Sequence, residues 1–183
     1  MIIKKRCSWV NLNNPLYVKY HDEEWGRPLH DDQALYELLI LESFQAGLSW
    51  ECVLNKRESF RQAFDGFDPH KIACYDERKT AELMSNPGII RNRRKIEAAV
   101  SNSRVFLAIA REFGSFGSYL ESFTKGETLY ECGNTTNPLS DAISKDLKKR
   151  GMKFVGSTII YSYLQAIGVI YSHDKDCYLY KGE

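Results

Sequence analysis

The chain has 183 residues, of which 43% are hydrophobic and 27% are charged, and its formal net charge is +1. This length and composition exclude an intrinsically disordered chain and predict a real core, in one domain or one domain with a smaller lobe. The small net charge argues against a large basic surface for nucleic acid, but it is compatible with a compact DNA footprint because charge can be local.

The predicted elements are helical from the first one onward. Asp31 or Asp32 can cap a helix in which apolar residues recur at three- and four-residue steps, and Gly47 ends that helix. Ser49 can cap a second helix, which is expected to continue to about Asp65.

The rest of the chain follows the same pattern. Further helices are expected to begin at Asp68, at Asp76, near Arg91, at Ser140 and at Ser157. Asn86-Pro87-Gly88 breaks the second of these, and the glycines at positions 114, 151 and 168 end the last three. No strand-like run has convincing flanks, so the sequence predicts an all-α protein.

Two residues of metal-binding type lie near each end of the chain: Cys7 and His21, and then His173 and Cys177. Two thiolates and two imidazoles complete the tetrahedral shell that Zn²⁺ prefers. The spacing of His173 and Cys177 is typical of two side chains on one helical turn, whereas the other pair is spaced more loosely. Spacing does not show that the two pairs meet, and unrelated Cys and His residues are the alternative.

An acidic residue, Glu42, falls on an otherwise apolar helical stripe. A carboxylate in apolar surroundings is costly unless a cation or hydrogen-bond donors meet it. Glu42 is therefore either a pocket carboxylate for a cationic or donor-bearing ligand, or a residue that turns outward or caps a neighbouring helix. Aromatic residues crowd the segments that could line such a pocket: Trp9, Tyr17, Tyr20, Trp25 and Trp50. Each could simply be core, but together with a carboxylate they suit a flat, electron-poor base.

Basic residues surround a short turn between two predicted helices at residues 147–157. Such a turn can aim backbone N–H groups of a helix N-terminus at a DNA phosphate, and Lys145, Lys149 and Lys153 would add charge. An ordinary helix–helix corner with a glycine cap is the alternative. A second basic cluster at residues 91–95 could equally be a solvated helix face.

Five blocks of this sequence resemble the DNA-3-methyladenine glycosylase I family. They are Cys7-Ser8-Trp9 and the segments 17–26, 42–50, 88–91 and 148–156. The blocks span almost the whole chain in the family's order. The resemblance implies one glycosylase domain over residues 1–183, with two helical lobes, a helix-hairpin-helix motif at about 141–168 and an added zinc site at the termini.

The resemblance also implies roles for individual residues. The zinc ligands of the family correspond to Cys7, His21, His173 and Cys177, and four ligands leave no open position, so one structural Zn²⁺ per chain is expected. The base-pocket residues correspond to Glu42, expected to be catalytic, and to Tyr17, Tyr20 and Trp50, with Trp9 added as a substrate-binding aromatic residue. The DNA-binding turn corresponds to Lys153, Phe154, Val155, Gly156 and Ser157.

Leu48 is interpreted from its place in the chain alone, whereas Asp174 and two unassigned segments are judged by the resemblance. Leu48, beside Gly47, is expected to fill the gap that a flipped base leaves in the stack. Asp174 lies where many helix-hairpin-helix glycosylases carry a catalytic aspartate, but the family resembled here lacks that residue and we do not expect Asp174 to be catalytic. The segments Thr124–Asn137 and Tyr178–Glu183 match no pattern of the family and receive no role.

The implied activity is base-excision repair. The protein would flip 3-methyladenine out of alkylated double-stranded DNA and release it by hydrolysis, as a monofunctional glycosylase. The competing hypothesis is a zinc-stabilised, non-catalytic binder of alkylated DNA or nucleobases, and turnover that depends on Glu42 distinguishes the two.

Compartment and assembly follow from weaker signals. No apolar run reaches the ~18 residues of a membrane span, and the basic start at Met1–Arg6 is not followed by the apolar region of a signal peptide. Five cysteines without a small-disulfide pattern fit a reducing compartment. We expect a monomeric cytoplasmic protein that does not enter a membrane.

Overall fold

The computed structural model describes residues 4–181, so the first three residues of the basic start and the last two residues of the chain lie outside the described part. Within that range the helices are α1 (Pro15–Glu23), α2 (Asp32–Gln45), α3 (Trp50–Leu54), α4 (Arg57–Ala63), a 3₁₀ turn (Asp65–Phe67), α5 (Pro69–Ile72), α6 (Glu77–Ser85), α7 (Arg93–Phe113), α8 (Phe116–Thr124), α9 (Pro138–Lys149) and α10 (Ser157–Ala166). Two strands of two residues each, β1 (Leu129–Tyr130) and β2 (Ile170–Tyr171), complete the described elements. The helical class is confirmed.

The prediction that no strand forms is wrong in one place. β1 and β2 pair in parallel, with Leu129 opposite Ile170 and Tyr130 opposite Tyr171. Two residues are too few for the alternating pattern that identifies a strand in a sequence. A parallel pair also joins segments far apart in the chain, so neither segment carries a local turn signal for the other.

Several helix boundaries also differ from the prediction. The N-cap of α9 is Asn137, and Ser140 is the third residue of its capping box rather than the cap. The helix predicted from Ser49 to about Asp65 is divided in two, with Asn55 as the C-cap of α3 and Lys56 as the N-cap of α4. α7 starts after Asn92, whose side chain accepts the N–H of Lys95.

The helix α2 runs through the core. Every residue from Leu35 to Phe44 is buried, and the helix packs against α10 and α7. A helix that is buried all round has no solvent face for charged side chains, so its two glutamates must find partners inside the protein. Glu37 finds them in Arg57 and Arg61. Glu42 has no such ion pair in the described part of the chain.

The helices α9 and α10 pack closely and are joined by a turn at residues 150–156, which makes a helix-hairpin-helix unit. Side chains from two helices fix the turn. Asn102 of α7 donates to the carbonyl of Lys153 and accepts its N–H, both at 2.8 Å. Ser144 of α9 donates to the carbonyl of Val155 at 2.7 Å. The turn is therefore held in one shape before any ligand arrives.

Candidate active site and metal centre

The four Cys and His residues at the two ends of the chain meet in one buried cluster. One ligand atom from each of them lies within 4.8 Å of all the others. The Cys7 Sγ to His173 Nδ1 distance is 3.4 Å, and Cys177 Sγ lies 3.5 Å from His21 Nε2 and 3.6 Å from His173 Nδ1. The cluster could hold a metal ion, and it joins the N-terminal segment to the C-terminal one.

Neighbouring groups orient these side chains. Asp22 lies 2.9 Å from His21 Nδ1, and Arg6 binds the same carboxylate with two hydrogen bonds of 2.8 and 2.7 Å. The Arg6 hydrogen bond is the largest cause that holds the pKa of Asp22 well below its usual range, so this carboxylate is ionised and accepts from Nδ1–H. The lone pair of Nε2 then faces the cluster, as a metal ligand requires.

The second histidine is also in a metal-binding state. Burial, and next the His21 ring, lower the pKa of His173 to about 4, so its imidazole is neutral at pH 7. The predicted helical turn at His173 and Cys177 is wrong: a tight turn follows β2, with the N–H of Cys177 donating to the carbonyl of Asp174 at 2.8 Å. This turn spans Asp174 to Cys177 and brings the Cys177 sulfur back to 3.6 Å from His173 Nδ1 without a helix.

A cavity of about 460 Å³ opens beside the metal cluster, with Glu42 in its wall. The Glu42 side chain is buried, at 3% exposure, and its Oε2 atom has no hydrogen-bond partner in the described part of the protein. Burial raises the pKa of this carboxyl to about 8. The group is therefore poised to gain from a ligand that brings positive charge or a hydrogen-bond donor.

This raised pKa predicts how Glu42→Gln changes stability with pH. The carboxyl ionises near pH 4.5 in the unfolded chain but near 8 in the folded protein, so the folded state binds more protons between these values and stability falls as pH rises through them. We expect Glu42→Gln to gain stability relative to wild type, by up to a few kcal/mol, from pH 5 to pH 8. Urea unfolding of both proteins at both pH values measures the difference. A difference that stays constant with pH would show that Glu42 is ionised when folded.

Aromatic rings form the walls of the cavity. Trp50 and Tyr20 stand 5.3 Å apart between ring centroids, tilted by 45°, and Trp9 and Tyr17 are also 5.3 Å apart. The four rings and Glu42 all line the same cavity, so the structure brings these predicted pocket residues together. Burial is also the main cause that raises the pKa of Tyr17 to about 12, so its hydroxyl keeps its proton and can donate. A planar base can stack between such walls.

The loop between α2 and α3 carries Leu48 to the surface. Gly47 has φ 79°, a conformation that favours glycine, and the chain turns outward there. Leu48 is 42% exposed and does not line the cavity, whereas Trp50, two residues later, does. The loop therefore presents an apolar side chain to the outside beside the residues that enclose the cavity.

The metal cluster and the cavity share a wall of aromatic rings. Trp9 lies 5.3 Å from the His21 ring, and Trp25 lies 4.7 Å from the His173 ring and 4.9 Å from Trp9. Both tryptophans also line the cavity. The position of this wall consequently depends on the position of the two histidines.

The sequence did not predict the other residues that line the cavity. They are Gln45, Gly133, Asn134, Thr135, Ser162, Gln165, Ser172 and Asp174. Three of them belong to the segment Thr124–Asn137, which had no predicted role, and no local pattern marks them because only the fold brings that loop to the cavity. Asp174 accepts the N–H of Ser8 at 2.6 Å, so it also ties the N-terminal segment in place.

The predicted DNA-binding turn forms a surface groove with basic residues on both sides. It is lined by Lys153, Phe154, Val155 and Gly156, together with Arg94, Glu97, Lys148 and Met152. The N–H groups of residues 154–156 donate to no backbone acceptor in the described part of the chain, and no side chain caps α10. The Val155 side chain is buried, and the Ser157 hydroxyl contacts that of Ser140 at 2.8 Å. The backbone N–H groups of residues 154–156, with Lys148 and Lys153 beside them, can thus bind an anionic ligand.

Among the described residues, no helix is both long enough and apolar enough to cross a membrane.

A family model described as methyladenine glycosylase matches residues 9–180. DNA-3-methyladenine glycosylase 1 of Escherichia coli K12 is 45% identical over 97% of this chain and 98% of its own length.

Solved structures agree with these matches. A crystal structure of 3-methyladenine DNA glycosylase I superposes with a TM-score of 0.92 at 45% identity, covering 97% of this chain and all of that one. A variant of 3-methyladenine DNA glycosylase I in complex with 3-methyladenine has a TM-score of 0.87 at 38% identity, covering 90% of this chain and 92% of its own. With near-complete coverage in both directions, the chain belongs to the methyladenine glycosylase family.

Proposed function

We propose that the protein is a base-excision repair DNA glycosylase that flips 3-methyladenine out of alkylated double-stranded DNA and releases it by hydrolysis. The observation that carries the proposal is the buried, unpartnered Glu42 oxygen inside an aromatic cavity. A neutral ligand without a donor would leave that oxygen unsatisfied. A flat cationic base can both hydrogen-bond to the carboxyl and stack on the rings. Relatives whose names state this activity also support the assignment.

The residues divide the work between binding and charge stabilisation. Methylation at N3 makes the base cationic, so the glycosidic bond already has a good leaving group. Trp50 and Tyr20 would stack on the base, while Glu42 accepts its N–H and, once ionised beside the cation, stabilises the positive charge. As the bond breaks, its electrons neutralise the base, and water adds to C1′ of the sugar and loses a proton. None of the described cavity residues is a lysine, which fits hydrolysis rather than an imine intermediate.

The hairpin and the exposed leucine would handle the DNA itself. We propose that the free N–H groups near Gly156 bind a backbone phosphate, with Lys153 adding charge, and that neither reads sequence. We propose that Leu48 enters the gap in the base stack when the lesion leaves it.

Gly156→Thr tests the hairpin assignment. Gly156 has φ −62° and a Cβ there would meet nothing within 4 Å, so the variant should fold, and threonine is also an accepted N-cap residue. Its branched side chain would keep a phosphate away from the backbone. We expect binding to undamaged and damaged duplexes to weaken alike, by about tenfold for a lost hydrogen bond to a charged group. Fluorescence anisotropy measures both affinities, and Gly156→Ala should give a smaller loss. Unchanged affinity in a folded Gly156→Thr protein would show that DNA binds elsewhere.

We propose that the metal is a single structural Zn²⁺. The sulfur–nitrogen distances of 3.4 to 3.6 Å are close to the value of about 3.6 Å expected between tetrahedral ligands whose bonds are about 2.3 and 2.1 Å long. The ion would join both ends of the chain and, with four protein ligands, would supply no activated water. Its thiolates must stay reduced, which supports a cytoplasmic location.

We also propose that the chain acts as one monomeric domain, with its helix-hairpin-helix motif at about 141–168. One contiguous cluster of buried side chains, running from Cys7 to Cys177, supports the single domain.

The test of the proposed activity is direct. Purified protein is incubated with methylated duplex DNA, and free base is separated and identified by mass. Release of 3-methyladenine that depends on protein is the expected result. Tight binding without release would instead favour the non-catalytic binder of alkylated DNA or nucleobases.

A further inference from the structure

A buried lysine at the start of α7 holds the loop that follows the Glu42 helix. Lys95 is only 7% exposed, and its Nζ atom donates to the carbonyl oxygen of Phe44 at 2.8 Å and to that of Ala46 at 2.6 Å. In the described part of the protein no carboxylate forms an ion pair with this ammonium group. Its partners are therefore the carbonyls at the end of α2.

These carbonyls need such a partner. The last carbonyls of a helix find no N–H donor within the helix, and a cation stabilises that end. The carbonyl of Gln45 accepts the N–H of Leu48, but Ala46 leaves the helical conformation (φ −46°, ψ 114°). Lys95 thus donates to the carbonyls of Phe44 and Ala46, which flank the Gln45 carbonyl that a backbone N–H already satisfies. A buried ammonium is costly without hydrogen bonds, so this geometry is strongly preferred.

The same helix also holds the hairpin. Asn102, about two turns after Lys95 on α7, makes the two hydrogen bonds to the backbone of Lys153. The Lys95 ammonium lies 6.0 Å from the ring centroid of Phe154, in the hairpin itself. Lys95 consequently stands between the loop that carries Leu48 and the proposed phosphate-binding turn.

We propose that Lys95 is a positioning residue for base excision, which holds the Leu48 loop at a fixed distance from the hairpin so that DNA bound there presents its lesion to the cavity. The inference rests on the proposed glycosylase function. It assigns Lys95 no contact with the base, because Lys95 does not line the cavity. Misplacement by about 1 Å far from the chemistry can slow a reaction about 100-fold, so a loosened loop should be visible in the rate.

Three variants separate positioning from stability. Lys95→Met keeps the length of the side chain and removes the ammonium group, whereas Lys95→Arg keeps a charged donor. Lys56→Met is a matched control, because Lys56 Nζ also donates to two loop carbonyls, those of Pro87 at 3.2 Å and Gly88 at 3.5 Å, but does not contact α2 through them.

We expect Lys95→Met to release 3-methyladenine from duplex DNA at least about tenfold more slowly in single turnover. It should also lose most of the preference with which wild type binds a duplex containing an abasic analogue over an undamaged duplex. Binding to undamaged duplex should stay within about twofold, since the hairpin keeps its Asn102 contacts. Binding of free 3-methyladenine, followed by tryptophan fluorescence, should also stay within about twofold, since Glu42 and Trp50 remain. Lys95→Arg should recover most of the rate, and Lys56→Met should match wild type.

Other results would overturn the inference. The first is base release by Lys95→Met at the wild-type rate, and the second is a rate for Lys56→Met that falls as much as that of Lys95→Met. The third is a loss of free-base binding in Lys95→Met, which would indicate a collapsed pocket. The wild-type protein separates this failure from that of the proposed function. If wild type releases no base, the glycosylase assignment itself is wrong. If wild type is active and Lys95→Met equals it, only the role of Lys95 is wrong.

Discussion

Glu42→Gln is expected to release 3-methyladenine from methylated duplex DNA about 10- to 1,000-fold more slowly than wild type, since a hydrogen bond to a charged group contributes roughly 1.5–3 kcal/mol and further charge stabilisation is lost. The amide keeps the shape of the buried side chain but cannot become an anion beside the cationic base. The loss should be partial because the methylated base is already a good leaving group. Single-turnover release of free base measures the rate.

A second glutamate on the same helix provides the control. Glu37 is also buried in α2, but it pairs with Arg57 and Arg61 and does not line the cavity. Glu37→Gln should lower thermal stability while leaving the rate of base release near that of wild type. Unmethylated adenine should be released negligibly by all three proteins. Equal rates for Glu42→Gln and wild type would make Glu42 a structural residue and place the chemistry elsewhere.

Loss of one metal ligand should have the largest effect on stability. Cys177→Ala leaves three ligands, and metal binding is coupled to folding, so the ion should bind more weakly and both termini should loosen. We expect a loss of about 3–5 kcal/mol, which for a chain of this size lowers Tm by roughly 6–20 °C. Because Trp9 and Trp25 pack on the histidines, binding of free 3-methyladenine should weaken as well.

Elemental analysis and thermal unfolding, with and without a chelator, measure this effect. Wild type should hold about one zinc per chain and lose stability with chelator. Cys74→Ala is the control, because that thiol is exposed and outside the cluster, and it should keep the metal and the wild-type Tm. The absence of zinc from wild-type protein that has never been exposed to a chelator would refute the assignment of the ion.

Local rules account for most of the helices. Helix caps such as Asp31, Ser49 and Asp76 act within three or four residues, so their effect is visible in the sequence. The rules failed where a distant partner decides the outcome. The β1–β2 pair joins positions about 40 residues apart, and the segment from His173 to Cys177, which follows β2, forms a non-helical turn in place of the predicted helical one.

The pocket shows the same division. An acidic residue on an apolar stripe was enough to single out Glu42, because helix periodicity reports which face of a helix is buried. The sequence could not show that its Oε2 lacks a partner, since that depends on every element packed around it. It also could not place Asn134 and Thr135 in the cavity wall, because a loop without a pattern is positioned only by the helices at its ends.

Short-range chemistry and family resemblance were thus enough to predict most helix positions, a pocket role for Glu42 and the four candidate metal ligands. The meeting of Cys7 and His21 with His173 and Cys177 does not, because it requires two ends of the chain to be brought within 4.8 Å by the packing of everything between them. The same holds for Lys95, a basic residue in a basic cluster by its sequence. Only the approach of α7 to the end of α2 buries it and turns its ammonium group toward the carbonyls of Phe44 and Ala46.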